Sequence, residues 1–204
     1  MKEIKVKATF IDEVLGTVPG DRDIYENHVA PDYPDDAEKL PKPENLTEAV
    51  DKGTTFFYQD ADGNPIMRAY QVKGFFKDSA SALSRVKKTA KQPGSVSSGV
   101  KAYKKIIDGL IFITEDDIPL QLQDGAELGY CERPLRAQTA QGERVSLARS
   151  QSAPAGTVIE FTIQMFDAGL EKWVRELLDY GRFRGFLQWR NSGKGRFTWE
   201  EVTE

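Results

Sequence analysis

Strand-like and helix-like stretches follow one another along this chain without the strict alternation that a parallel sheet requires. Residues 2–10 alternate, with Ile4, Val6 and Ala8 on one side and Lys5, Lys7 and Thr9 on the other, the period of a strand with one buried face. Gly16, Pro19 and Gly20 then turn the chain. Residues 31–45 scatter Pro31, Pro34, Pro41 and Pro43 among acidic residues and read as an irregular acidic insertion, flanked by helical turns near residues 23–30 and 46–51. Runs at 54–58 and 66–70 enclose Asp60-Ala61-Asp62-Gly63-Asn64-Pro65, a turn signal that predicts a hairpin. Asp60 and Asp62 resemble the start of a calcium loop, but the later ligands of such a loop are missing.

Over residues 72–90, Val72, Phe75, Phe76, Ser79, Leu83 and Val86 recur every three or four positions, the spacing of an amphipathic helix. Its outer side would carry Lys73, Lys77, Arg85, Lys87 and Lys88. A loop expected to be mobile covers residues 91–99, and residues 106–114, the most apolar segment, read as a central strand that Pro119 ends or edges. Residues 131–152 are polar and punctuated by Arg133, Arg136, Arg144 and Arg149, the pattern of an exposed arm or hairpin. A strand at 158–166 and a helix at 170–180 follow, the helix burying Leu170, Trp173, Val174, Leu177 and Leu178 and ending at Gly181 as its cap. A glycine loop and a last strand at 196–202 close the chain. The order predicts an α+β fold, an antiparallel sheet with helices on one face of ferredoxin-like type, as one domain over residues 1–204.

The residue inventory narrows the chemistry. One cysteine, Cys131, excludes an internal disulfide framework and a multi-cysteine zinc site, and one histidine, His28, excludes a two-histidine metal site. No apolar run approaches the 20 or so residues of a membrane span, and the first residues lack a signal peptide's apolar block, so a cytoplasmic protein with no membrane partner is expected.

Net charge is −4, but it is unevenly spread. Residues 1–70 hold 8 Lys/Arg against 15 Asp/Glu, residues 71–114 hold 9 against 2, and residues 115–204 hold 11 against 15. Within the last stretch, residues 180–199 carry Arg182, Arg184, Arg190, Lys194 and Arg196 and no acid. Two basic blocks in an acidic chain are either solvated faces or a polyanion surface formed where they meet. Phe183, Phe186, Trp189, Phe197 and Trp199 interleave with the second block, and aromatics beside arginine suit single-stranded nucleic acid. Burial preference favours the core for Phe183, Phe186, Phe197 and Trp199, while Trp189 between Gln188 and Arg190 is open to either role. Gly181, Gly185, Gly193 and Gly195 separate these side chains, and glycine lets backbone N–H groups approach a phosphate. The loop is neither a Walker loop, since Gly195 follows Lys194, nor a dinucleotide-binding turn, since it precedes a strand.

Three segments in order resemble the RAMP superfamily (repeat-associated mysterious proteins), in particular the backbone subunits of CRISPR effector complexes. Gly185 through Gly193-Lys194-Gly195-Arg196-Phe197 resembles that family's glycine-rich loop after the last helix. Residues 70–78 (Tyr-Gln-Val-Lys-Gly-Phe-Phe-Lys-Asp) are similar to its motif before the first helix, without the Pro and the Ser pair. Arg133–Arg149 followed by Ala153-Pro154-Ala155-Gly156-Thr157-Val158 resembles its arginine-bearing arm leading into a strand. The chain also resembles proteins of similar size from phages and prophages of Gram-positive bacteria. The resemblance implies an RRM-like βαββαβ core that holds guide-type single-stranded RNA through its backbone. Lys73, Lys77, Arg182, Arg184, Arg190, Lys194 and Arg196 would meet phosphates, Arg133, Arg136 and Arg149 would sit on a thumb-like arm at about 131–152, and Trp189 could stack on a base. The arm could instead be a protein-interaction element.

It further implies head-to-tail oligomers and CRISPR effector subunits as possible partners, with an anti-CRISPR capping role or a metal-dependent ribonuclease as alternatives. No cofactor, metal ligand or catalytic residue is assigned. A histidine mechanism could use only His28, Asp21 and Asp23 carry no motif, and a lone Cys131 is more often inert.

Overall fold

The alternation in residues 2–10 builds strand β1 (Lys2–Phe10), which buries Ile4, Val6, Ala8 and Phe10. In the computed structural model, residues 1–21, 53–139 and 142–203 are described. The insertion expected at 31–45, the helical turns beside it, Asp23 and His28 lie outside these residues.

β1 is a central strand of a four-stranded sheet. It pairs antiparallel with β11 (Val158–Met165), from Lys2↔Met165 to Thr9↔Val158, and on its other side with β12 (Phe197–Glu201). β7 (Ile111–Ile113) adds to β11, giving the order β12-β1-β11-β7 with every neighbour antiparallel. β11 buries Ile159, Phe161, Ile163 and Met165 on the face that β1 also buries. Helices α1 (Ala69–Leu83), α2 (Tyr103–Leu110) and α3 (Glu171–Asp179) contribute Phe75, Phe76, Ile107, Trp173 and Leu177 to the same core. Each large apolar side chain buried there contributes about 1.5–3 kcal/mol relative to exposure.

Two smaller sheets flank this one. β2 (Val14–Leu15), β3 (Val18–Pro19) and β4 (Thr54–Phe56) join the root of a long hairpin, β9 (Gly129–Thr139) and β10 (Gly142–Ala153). β5 (Tyr58–Gln59), β6 (Pro65–Arg68) and β8 (Asp117–Pro119) form the third. The hairpin expected around Asp60 is β5–β6, its turn held by Asp60 Oδ1, which accepts from Asp62 N and Asn64 N. No helix among the described residues is long and apolar enough to cross a membrane.

Several sequence expectations are corrected. The segment 106–114 is mostly helix α2, and only its end forms β7, at the sheet's edge instead of its centre. Ile106, Ile107 and Leu110 satisfy a helical spacing as well as an apolar run, and short runs of this kind are ambiguous. Helix α1 begins three residues before Val72, where the Gln71 side chain accepts from Arg68 N at 2.8 Å. It stops at Leu83, because Ser95 Oγ donates to Leu83 O and Ser95 N to Val86 O, so the chain peels off into a turn. Gly181 is not a left-handed cap: it sits in a 3-10 turn (Tyr180–Arg182), where a Cβ would run into the Phe197 ring. The loop expected to be mobile holds a 3-10 turn, Val96–Gly99, docked on α3. The Glu176 carboxylate accepts from Val96 N, Ser97 N and Ser97 Oγ, and Trp173 Nε1 donates to Ser97 Oγ at 2.9 Å.

Candidate nucleic-acid interface

The glycine loop after α3 is rooted in aromatic packing. Phe186 and Phe197 are fully buried and stack with centroids 4.4 Å apart and planes 12° apart, and Phe75 of α1 closes on Phe186 at 4.7 Å. The two ends of the loop touch backbone to backbone, with Phe186 N donating to Gly195 O at 3.0 Å. A Cβ on Gly185 would collide with the Gly195 carbonyl group, and Gly195 itself sits at φ +69, so both positions require glycine. Two of the five aromatics read as interleaved are therefore core. Phe183 is 69% exposed, and Trp199 is half-buried, donating from Nε1 to Asp179.

The loop lies beside the middle helix, as the sequence suggested, but through carboxylates. Arg184 and Arg190 both reach Asp78 of α1, and Arg184 also donates to Asn191 Oδ1 at 2.9 Å. Lys194 pairs with Glu13, and Arg196 Nε donates to Asp12 at 2.7 Å. Hydrogen bonds to Asp78, Glu13 and Asp12 push the Arg184, Lys194 and Arg196 groups above their ordinary values. Lys77 pairs with Asp108 at 2.7 Å, Arg136 lies 3.6 Å from Glu143, and Arg149 lies 3.3 Å from Glu132 and over the Tyr130 ring at 3.7 Å. Burial pulls the Lys73 ammonium down, and it sits 4.6 Å over the Phe112 ring. A cradle of free loop cations is thus not what these residues form. The pairs lock the loop to α1 and to the turn after β1, because an acidic neighbour stands within reach of each cation. Arg182 is exposed and in no ion pair among the described residues.

The arm is a two-stranded hairpin registered from Gly142↔Thr139 to Ser152↔Gly129. An 11-residue strand spans about 36 Å at roughly 3.3 Å per residue. Among the described residues, other strands hold only its root: Arg149 and Ser150 pair with β4, and Ser152 and Ala153 with β2. Beyond the root the arm exposes Leu135, Val145 and Leu147 at 47%, 62% and 63%.

Arm root and glycine loop meet at Arg133 and Trp189. The guanidinium carbon lies 4.6 Å from the ring centroid, and Nη2 donates to Gln188 Oε1 at 3.4 Å. Arg133 Nε and Nη1 are buried without a hydrogen-bond partner among the described residues. Gln188 in turn donates from Nε2 to Thr55 Oγ1, Ser150 Oγ and Gly16 O, tying the loop to β4, to the arm and to the turn before β3. Its neighbours Leu187 and Trp189 both adopt left-handed backbone, at φ 62 and 53, which is uncommon for large side chains and is retained where surroundings enforce it. Lys194 Nζ stands 5.7 Å from the same indole. Nearby, burial and then Glu13 push the half-buried Cys131 thiol up, away from a reactive thiolate.

No family model matches the chain, and no curated protein matches it. Solved structures do. A chain of the Type III-B Cmr-β complex bound to cognate target RNA is 9% identical with a TM-score of 0.50, covering 98% of this chain and 58% of that one. Cmr6 from Pyrococcus furiosus is 14% identical with a TM-score of 0.50, covering 97% of both chains. The fold is thus shared with Cmr6 and with that chain of the Cmr-β complex. A chain of a Type IV-B CRISPR complex also aligns, at 10% identity and a TM-score of 0.49 over 99% of this chain and 91% of that one. The chain spans little more than half the length of its Cmr-β counterpart.

The sequence-derived list missed a set of cations. Between Asp78 and Asp108 no acidic residue occurs, and Lys91, Lys101, Lys104 and Lys105 are exposed there beside Arg85, Lys87 and Lys88. The signal lay in the excess of 9 basic over 2 acidic residues at 71–114, of which Lys73 and Lys77 on the helix are engaged.

Proposed function

We propose that this protein is a non-catalytic, sequence-tolerant RNA-binding protein of RAMP type, with the four-stranded sheet and its helices as a ferredoxin-like, RRM-like core. The observation that carries the reading is the Arg133–Trp189 contact at the arm root. An indole braced by a guanidinium offers a stacking platform that any base can use. The two unpartnered nitrogens of Arg133 are donors for a phosphate or base oxygen that reaches the site once the side chain shifts. The Cmr-β structure, which shares the fold, holds target RNA, and that supports the same class of ligand here. The arm's exposed Leu135, Val145 and Leu147 favour a second reading, an interaction protein (phage-encoded and anti-CRISPR in its sharpest form) that caps or inserts into a CRISPR effector. Filter binding with labelled single-stranded RNA tests the first reading. Retention of unrelated sequences with similar affinity supports it, and no retention at low salt rejects it. Magnesium or manganese added to the same mixture should leave the RNA intact.

A further inference from the structure

From residue 79 to residue 107 the chain carries seven cations and no acidic residue. Arg85, Lys87, Lys88 and Lys91 lie on the turns after α1. Lys101, Lys104 and Lys105 lie at the start of α2. All are exposed, and none forms an ion pair among the described residues. This contrasts with the glycine loop, where four cations each find an acid. The two stretches are one surface: Lys87 Nζ donates to Ser98 O at 3.5 Å, and Ser95 N donates to Val86 O at 3.0 Å. Glu176 and Trp173 clamp the intervening turn onto α3, so the surface is built in advance of binding.

Its location matters. Asp78, which anchors Arg184 and Arg190, precedes the end of α1 by five residues, about 7.5 Å of helix. The basic shelf begins where that helix ends, about one and a half turns beyond the residue that anchors the loop carrying Trp189.

We infer that this shelf is a second nucleic-acid surface that binds the sugar-phosphate backbone of the RNA strand held at the arm root. The choice of RNA rests on the function proposed above; the existence of the surface rests on its unpaired charges. An acidic polypeptide is the other polyanion to weigh. Protein interfaces centre on buried aromatic or apolar anchors. Here the cations are spaced by Ser, Thr, Gln and Gly, with Val86 at 39% the only large exposed apolar side chain of residues 84–105.

The test is filter binding of labelled oligouridylate to the full chain over a range of potassium chloride concentrations. It compares the unaltered protein with K101Q/K104Q/K105Q, R85Q/K87Q/K88Q and W189A. These lysines and the arginine are exposed, so the charge variants should melt as the unaltered chain does. Each triple variant should weaken binding roughly tenfold or more at low salt. It should also lower the slope of log affinity against log salt by about two, since each contact to a single strand contributes about 0.7. Unchanged affinity and slope in both triple variants, with binding weakened in W189A, overturns the shelf and leaves the arm root standing. If the unaltered chain retains no RNA, both readings fall. Poly-L-glutamate that competes with RNA as well as unlabelled RNA does overturns the assignment in favour of an acidic polypeptide.

Discussion

The guanidinium of Arg133 lies 4.6 Å over the ring of Trp189, joining the root of the arm to a loop 56 residues further along the chain. Long-range order at this point depends on Gln188, which donates to three separate segments while the residues on either side of it take left-handed backbone. Trp189 is thus held half-exposed instead of collapsing into the core with Phe186 and Phe197.

Truncating the indole tests what that exposure is for. Trp189→Ala should weaken single-stranded RNA binding by about 1–3 kcal/mol, roughly 5- to 150-fold, and Trp189→Phe should keep most of the affinity. Fluorescence anisotropy with labelled RNA reads both. Equal losses in the two variants would point to a packing role.

Asp78 is predicted to restrain binding as it stabilises the loop. Asp78→Asn removes the carboxylate shared by Arg184 and Arg190, side chains that remain about 30% exposed. Stability should drop by about 1–2 kcal/mol, seen as a melting temperature lower by about 2–8 °C. RNA affinity should rise severalfold as two guanidiniums become available to phosphate. Charge reversal at Arg190 or Lys194 is a poorer test, because it would set like charges against Asp78 or Glu13.

Gly185→Ala should be the most damaging single change in the loop, because its Cβ would collide with the backbone at Gly195. A loss of more than about 2 kcal/mol is expected from overpacking of this kind. Urea unfolding followed by tryptophan fluorescence measures it. A melt within about 1 °C of the unaltered chain would mean that the loop ends separate freely.

Acid should destabilise the fold through carboxylates that are ordered in it. Burial pushes the Glu115 carboxyl up, but hydrogen bonds from Thr162 N, Thr114 and Thr162 Oγ1 outweigh it and leave the group below its usual value. Asp60, in its turn, and Glu171, beside Arg175, are also lowered by their hydrogen bonds. A folded-state value below the unfolded one means that the unfolded chain binds more protons as pH falls. The stabilisation is complete above the unfolded value near 4 and is lost as pH drops through the folded values. Urea midpoints should therefore fall steadily below about pH 4, less steeply in Glu115→Gln.

Period and burial made much of the fold legible. Residues 2–10 and 158–166 could only be strands with one buried face, and Trp173, Val174, Leu177 and Leu178 could only be a helical face. The segment 106–114 was illegible because Ile106, Ile107 and Leu110 serve a helix and a strand equally, and sheet position decides between them. At the site, the composition of the loop was readable but its charge state was not. Asp12, Glu13 and Asp78 lie more than a hundred residues from the cations they neutralise, a pairing that only the tertiary fold creates. Gln188 carried no sequence signal, since a glutamine becomes a tie only where three acceptors converge on it.

The most direct test of the account is the affinity of the unaltered chain and of an Arg133→Ala/Trp189→Ala variant for unrelated single-stranded RNA sequences, measured by filter binding across a salt series. The account predicts similar affinities for all sequences in the unaltered chain, a steep fall with salt, and a loss of at least tenfold in the double variant at every salt concentration. Equal retention by the two proteins, or none by either at low salt, would contradict it.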